Sequence, residues 1–492
     1  MTAPRVAIVG GGIAGLAVAH AVRRESPEAD VVVLERGERA GGNIRTDVVD
    51  GYLCEAGPDG FLDNAPATLA FVETLGLTSR LVRSRDEARR RFIFRHGRLH
   101  EVPASPWAFA TTPLLSPFAK LRVLAEPLAA RPPRHDESIL GFAERHIGRE
   151  AAEVLVGSMV SGIFAGDASQ LSLRSAFPKM YEMEAQYGSL FRAMIAKGRE
   201  RRNLPAEARQ ATAGGVGAPA GRLTSFAGGM QDLVSAAASQ LRGAVRTGVR
   251  VSGLHDRRGP GDRPRPRLVG ARAFSLVCGS RLVEADAVVL AGPAWESATL
   301  LRECSPAAAA LLAAIHTAPL AVACLGYDDA ALTAQRGALD GFGFLVPRGE
   351  GPRILGALWE TSIYPDRAPD GKALLRVMIG GATDPGAVDL TDSELLGAVR
   401  DDLERTMGLR LEPEMVHLTR HWRGIPQYTI GHQSRLDRIE AAIASHPGLF
   451  LAGNSYRGVS INACLEDAPR VAARIAGHLR TVDTQAEYCT AR

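Results

Sequence analysis

Gly10, Gly12 and Gly15 stand in GxGxxG spacing, with Gly11, Ile13 and Ala14 filling the pattern, and an acid, Glu35, follows about twenty residues later. These residue types build a turn that receives a pyrophosphate. Gly10 permits the tight turn, Gly12 lets the backbone approach the phosphates, and Gly15 lets a helix pack closely on the preceding strand. The helix start adds unpaired N–H groups and the positive end of a dipole. Glu35 is placed to accept hydrogen bonds from a ribose diol, and its charge disfavours the phosphorylated ribose of NADP. The glycines alone would also suit a turn without a ligand.

The elements that must position these residues are in register: Val6–Val9 reads as a strand, a helix follows from Ala14, and Val31–Leu34 reads as a second strand ending at Glu35. That context predicts a dinucleotide site. The next segment, Arg39-Ala40-Gly41-Gly42-Asn43-Ile44-Arg45-Thr46, would by itself be a surface turn. It resembles the second nucleotide motif of the flavin amine oxidase superfamily, whose paired glycines let the chain pass close to FAD.

A chain of 492 residues with 46% hydrophobic and 23% charged residues suits two or three globular domains. A formal net charge of +4 is too mild to argue for nucleic acid, and no zinc-finger or RNA-binding signature is present. The 6 cysteines lack CxxC spacing, which predicts neither a metal cluster nor a disulfide framework and fits a reducing cytoplasm. The apolar run Val6–Val22 carries the glycine cluster and leads into a strand, so it is not read as a signal peptide. No other run approaches the roughly 18 apolar residues of a spanning helix. A soluble or peripheral protein is expected.

Beyond the first βαβ unit and the loop Gly57-Pro58-Asp59-Gly60, the region is mostly helical, with amphipathic spacing over Leu121–Leu128 and Ile139–Ile163. Lys197–Gly221 reads as a loop or linker, a helix is predicted from Phe226 through Leu241, Val249–Leu254 as a strand, and the charged, proline-rich Asp256–Arg267 as an exposed hairpin tip. Ala285–Pro293 predicts a buried strand returning to the nucleotide domain. Strand-like runs between Ala321 and Val416 predict an antiparallel sheet. Gly448–Asn454 is a strand entering a turn, and a helix opens near Gly458 and runs to Leu479, its N-terminus aimed at an anionic or electron-rich group.

Over essentially its whole length the chain is similar to the oxygen-dependent protoporphyrinogen oxidase family, which includes related coproporphyrinogen III oxidases. The segments that carry the resemblance are Gly57–Leu62, Ser161–Asp167, Gly341–Pro347, Ile425–Tyr428 and Gly453–Tyr456. It implies an α/β fold: a Rossmann-like FAD-binding domain (1–60, 223–295 and 420–480), an antiparallel-sheet substrate domain (61–90 and 296–419), a helical membrane-associating domain (91–202) and a linker (203–222). FAD would contact Gly10 to Gly15, Glu35, Arg36, Gly42, Asn43, Gly57, Pro58, Asp59, Gly60, Val251, Trp422, Val459, Ser460 and Ile461. No cysteine lies in Thr419–Trp422, so the flavin is expected to be non-covalent. The implied reaction removes six electrons stepwise from a porphyrinogen, in haem biosynthesis, with O2 as acceptor giving H2O2.

A porphyrinogen is a wide apolar macrocycle with carboxylate arms, so its site needs an apolar slot and a cation. By the resemblance Arg91 pairs with a propionate; by sequence alone it is one charge of a solvated cluster with Arg80, Arg83, Arg85, Arg89 and Arg90. Phe342, Leu345, Leu358 and Met378 match the apolar walls, and would otherwise read as ordinary core. Gly162 would admit a pyrrole ring to the backbone, or simply end a helix. Asp59 departs from the Asn common in the family, which leaves its role as a base open; the flavin carries the chemistry. Trp107, Phe109, Leu114, Leu115 and Phe118, with Lys120 and Arg122, are expected at a membrane surface, the alternative being an internal loop. That would place the protein in the cytoplasm, peripheral at the inner membrane face. The resemblance leaves open a homodimer and the choice of porphyrinogen. An amine oxidase or carotenoid desaturase would usually carry an acid where Asn454 stands; an inactive FAD-binding scaffold would keep the glycines without turnover.

Overall fold

The computed structural model describes residues 3–129, 132, 133, 135–202, 221–257 and 272–490. Residues 203–220 of the expected linker and 258–267 of the expected hairpin tip lie outside the described residues.

Strand Arg5–Val9 pairs in parallel with Asp30–Leu34 and with Ala287–Leu290, and the latter pairs in parallel with Leu449–Leu451, so N-terminal, central and C-terminal segments share one sheet. Val245–Arg246 adds the fifth strand. Side chains of a strand alternate between faces, and here both faces are apolar. Val6, Ile8, Val31 and Val33 enter one buried cluster with the helices Ile13–Glu25 and Ile461–Thr490, while Ala7, Val32, Leu34 and Val288 enter a second. Burial on both faces is what a parallel sheet requires.

A seven-stranded sheet forms the second body. Its long strand Thr317–Asp328, next to the edge strand Met415–Pro426, pairs antiparallel with that strand and with Lys372–Gly380. Ala321, Ala323, Leu325 and Tyr327 face the helix Asp392–Met407; Leu320, Val322 and Cys324 face the other way. The sheet ends in the hairpin Phe92–Arg95 and Arg98–Glu101, joined through a parallel pairing of Phe344 with Phe92. Arg91, at the head of that hairpin, is therefore fixed by a sheet rather than by the helices that follow from Pro106.

Several boundaries differ from the sequence expectation. Lys197–Arg202 continues the helix Leu190–Arg202, because Lys, Arg and Glu are good helix formers. Phe226 ends the strand Leu223–Phe226, and the helix starts only at Gln231. Gly229 stands at φ +83° and cannot lie inside a helix, while the Asp232 carboxylate accepts the Gly228 amide at 3.0 Å. Val249–Ser252 lies outside any strand, the strand beginning at Gly253. The last helix continues past Leu479 to Thr490.

The apolar segment expected at a membrane splits. Trp107 and Phe118 are 78% and 79% exposed, but Leu114 and Leu115 are buried with Ile93, Ala119, Ala151 and Val154, and Phe109 packs against that cluster. Two short helices, capped by Ser105 and Ser116, turn the intervening leucines inward. No described helix is long and apolar enough to cross a membrane.

Candidate functional site

The pyrophosphate turn joins Val9 to the helix at Ile13. Gly10 sits at φ +111°, and a Cβ on Gly15 would lie 2.0 Å from the Gly10 carbonyl oxygen. Only glycine fits at either position. The Gly11 amide donates to Glu35 Oε2 and the Gly37 amide to Oε1, each at 2.7 Å. Each carboxylate oxygen keeps acceptor capacity for a diol.

The second glycine segment is locked to the first. Gly41 donates to the Gly11 carbonyl at 2.8 Å, and Arg39 donates to the carbonyls of Gly42 and Ile44, each at 2.9 Å. A Cβ on Gly57 would lie 2.0 Å from the Asn43 carbonyl oxygen, which brings the Gly57–Gly60 loop against the same segment. From the far end of the chain, Val459, Ser460 and Ile461 reach this place as the last helix opens, with Ser460 Oγ accepting the Ala463 amide at 3.1 Å.

One cavity of 1510 Å³ runs through these segments. Gly10, Gly12, Ile13, Ala14, Glu35, Arg36, Gly42, Asn43, Gly57 to Gly60, Val251 and Val459 to Ile461 line it; Gly11 and Gly15 stand behind its wall. The cavity then continues into an apolar slot whose lining includes Arg91, Gly162, Phe342, Leu345, Leu358 and Met378. Gly162 packs on Leu345, where a Cβ would fall 2.7 Å from Leu345 Cδ2. Leu358 lies opposite Gly343 in the ladder and Met378 opposite Gly356. The strands of the seven-stranded sheet thus supply one wall and the helix Ser158–Phe164 contributes to another. Trp422 stands apart: it is 58% exposed and lines a smaller hollow with Trp295 and Arg423. Its neighbour His421 lines the main cavity instead.

Arg91 is half-buried, its guanidinium lies 5.0 Å over the Phe342 ring, and its buried Nε has no hydrogen-bond partner. Burial lowers its pKa without making an arginine neutral at ordinary pH. Deeper in the helical region His146 is clamped between Glu126 at 2.7 Å and Glu184 at 2.8 Å, and Glu126 also accepts the Leu190 amide at 2.7 Å. This network ties four helical segments around the slot.

Sequence reasoning missed a second group of residues. Arg376 lines the cavity and donates to the Gly57 carbonyl. Behind it lie Glu360, Glu55, Arg367 and Tyr364, all buried. Burial and the Asp59 charge push the Glu360 carboxyl up to about 7, against the pull of Arg376 and Arg367. The one signal in the sequence was the pair of charged residues Glu360 and Arg376 inside strongly apolar runs.

An FAD-like group fits what is present: a paired acceptor for a ribose, glycine backbone at the phosphates, a helix start, and an adjoining cavity large enough for a ring system. The family described as flavin containing amine oxidoreductase matches residues 13–476. The chain is similar to chloroplastic protoporphyrinogen oxidase 1 of Spinacia oleracea, 34% identical over 96% of this chain and 84% of the relative. It is also similar to coproporphyrinogen III oxidase of Bacillus subtilis (strain 168), 31% identical over 94% of this chain and 95% of the relative. An Exiguobacterium sp. 255-15 protein solved as a candidate protoporphyrinogen oxidase superposes with a TM-score of 0.79 at 28% identity, covering 97% of this chain and 99% of that one. Cyclohexylamine oxidase from Brevibacterium oxydans IH-35A superposes at 0.67 with 18% identity, over 97% of this chain and 99% of that one, a likeness of fold alone. The chain belongs to the flavin-containing amine oxidoreductases, within the family of the protoporphyrinogen and coproporphyrinogen III oxidases.

Proposed function

We propose that the protein oxidises a porphyrinogen, protoporphyrinogen IX or coproporphyrinogen III, to the porphyrin in haem biosynthesis, using FAD held without a covalent bond and O2 as the final acceptor. The observation that carries this reading is the half-buried guanidinium of Arg91, its Nε unpartnered and no ion pair made to an acid among the described residues, in an apolar slot continuous with the dinucleotide turn. A propionate supplies the missing anion, and the macrocycle fills the slot. An amine substrate would arrive as a cation and be repelled there, which disfavours an amine oxidase.

Bound flavin would supply the two-electron acceptor. The chain's own residues would bind and orient it: Glu35 would hold the ribose, the Gly10–Gly15 turn would hold the phosphates, the helix start at Ile461 would face an anionic or electron-rich part of the cofactor, and the Gly57–Gly60 loop would contact it from the side of Asn43. Arg91 anchors an acidic arm, Phe342, Leu345, Leu358 and Met378 press on the macrocycle, and Gly162 leaves room for a pyrrole. Positioning a bridging methylene in a dry cleft is the main contribution asked of the protein. Non-covalent attachment is supported by the thiols: Cys464 is the one cysteine among the described lining residues, and burial pushes it up to about 12, far from a reactive thiolate. The exposed apolar edge around Trp107 and Phe118 supports peripheral contact with a membrane surface.

The test is aerobic oxidation of both porphyrinogens by FAD-loaded protein, followed by porphyrin fluorescence against an enzyme-free control. Catalysed growth is expected, and the two specificity constants name the substrate. No acceleration with either, despite bound flavin, overturns the proposal.

A further inference from the structure

The segments Ser161–Asp167 and Ile425–Tyr428, distant in sequence, meet in the fold. Gln427 and Tyr428 leave the end of the edge strand Met415–Pro426, and the Gln427 amide stays tied to the sheet by donating to the His316 carbonyl at 2.9 Å. Both side chains are buried, and neither lines the cavity. Gln427 Nε2 donates to the Phe164 carbonyl at 2.8 Å and to the Ile425 carbonyl at 3.0 Å. Phe164 is the last residue of the helix Ser158–Phe164, whose Gly162 and Ile163 line the slot. A helix end leaves carbonyls without partners, and Gln427 satisfies this one from another part of the chain. A Cβ on Gly166 would lie 2.5 Å from Gln427 Oε1, so the turn after the helix closes over the same side chain.

Tyr428 serves the other half of the site. Its hydroxyl donates to the Asn454 carbonyl and accepts the Gly458 amide at 2.8 Å, closing the turn from which Val459, Ser460 and Ile461 enter the cofactor end of the cavity. The ring stacks on His432 at 4.2 Å and 16°, and the Tyr428 carbonyl accepts the Ser172 amide at 2.8 Å. Burial raises the phenol pKa, which keeps the proton that the Asn454 bond needs.

Neighbouring residues have Cα atoms about 3.8 Å apart across a trans peptide, so what they hold is kept at one offset. Transfer between bound groups depends steeply on such an offset, since a misplacement of about 1 Å can cost about a hundredfold in rate. We propose that Gln427 and Tyr428 are a pair of positioning residues that keep the slot wall at Gly162 and the cofactor turn at Asn454–Gly458 in register, Gln427 setting substrate placement and Tyr428 setting the cofactor. The substrate half of the inference rests on the porphyrinogen reading above; the cofactor half needs only the flavin.

The two halves are read separately. Y428F removes one oxygen and keeps the ring that stacks on His432. It leaves the Asn454 carbonyl and the Gly458 amide without this partner, so the Kd for FAD should rise about tenfold or more and the visible circular dichroism of bound flavin should change, while the KM for porphyrinogen at saturating FAD stays within about twofold. Q427M keeps the length of the side chain and loses the donor. Its FAD affinity and flavin spectrum should match wild type, its porphyrinogen KM should rise at least about fivefold, and anaerobic flavin bleaching by porphyrinogen in single turnover should slow about tenfold. G166A presses on Gln427 Oε1 without removing the donor and should repeat the Q427M pattern in milder form, which keeps this half decisive should Q427M not fold. The crossed pattern supports the inference. Variants that lower only the melting temperature, or that each impair FAD binding and porphyrinogen KM alike, overturn it. A wild-type enzyme that oxidises neither porphyrinogen overturns the substrate reading, while FAD titration of Y428F beside Q427M still decides whether Tyr428 sets the cofactor turn.

Discussion

Arg91 lies over the Phe342 ring at 5.0 Å and meets no acid there. A half-buried guanidinium without a carboxylate adds little to a fold, so its removal should separate stability from binding. In R91M the thermal midpoint should hold or rise. A charge-assisted pair with a propionate contributes about 2 kcal/mol, which predicts a KM about 30-fold higher with kcat changed less than about threefold. R91K, with a point charge in place of a fork, should fall between. Steady-state kinetics beside a melting curve check both halves; a destabilised R91M with unchanged KM would make Arg91 a structural residue.

Glu35 joins two turns by accepting one amide on each oxygen, from Gly11 and Gly37. In E35Q one of those amides must face an NH2 group, and the charge that holds the ribose hydroxyls is gone. FAD affinity should fall at least about tenfold, at 1.5–3 kcal/mol for a hydrogen bond to a charged group. Gly57→Ala acts differently, forcing the loop from the Asn43 carbonyl that a Cβ would approach to 2.0 Å. Flavin absorbance per protein after gel filtration should be reduced in E35Q and lost in G57A.

These contrasts show what the chain discloses before it is folded. Glu35 was legible because its partner glycines lie on one βαβ unit, where local spacing sets the geometry. Phe342, Leu358 and Met378 came to one slot only through the resemblance, since strand alternation alone cannot tell a core face from a cavity wall. Asp59, Glu360 and Arg376 were not legible as a cluster: they come from a loop, a short helical turn and a strand far apart in sequence, and the apolar runs around Glu360 and Arg376 mark them as buried without saying what they meet. The helix expected from Phe226 failed at Gly228-Gly229, a local signal outweighed by the apolar pattern around it.

His432 carries a pH-dependent part of the stability. Its ring stacks on Tyr428 at 4.2 Å and bonds the Tyr456 carbonyl at 3.2 Å. Burial, partly offset by that carbonyl, lowers it from 6.5 to about 4. Between these values the unfolded chain binds a proton that the folded ring refuses, so the contribution is complete above about pH 6.5 and is lost as pH falls towards 4, up to ~3 kcal/mol. Denaturant unfolding at pH 7.5 and pH 5 should show this loss in the wild type and a smaller one in H432Q. Equal losses would place the acid sensitivity in other groups.

The helical region presents Trp107, Phe118, Leu121, Leu124 and Leu128 to solvent, each more than half exposed, along two consecutive helices and the turn after them. Their neighbouring cations are not equivalent. Arg122 donates to the carbonyls of Arg145 and His146, at 2.6 and 2.9 Å, and is committed to holding the helices together. Lys120 bonds only the exposed Ala110 carbonyl, which leaves it nearer to a headgroup role. Vesicle binding should therefore depend on the apolar side chains more than on lipid charge. Burying a large apolar side chain contributes about 1.5–3 kcal/mol, and the W107A/F118A double variant should lose ~3 kcal/mol of partitioning, about a hundredfold. K120A should reduce binding to anionic vesicles only a few fold. Co-sedimentation with neutral and anionic vesicles, with Trp fluorescence of the F118A variant as a depth reading, checks the order. If the double variant binds like the wild type, the exposed edge has another partner, and the membrane reading of these helices is withdrawn.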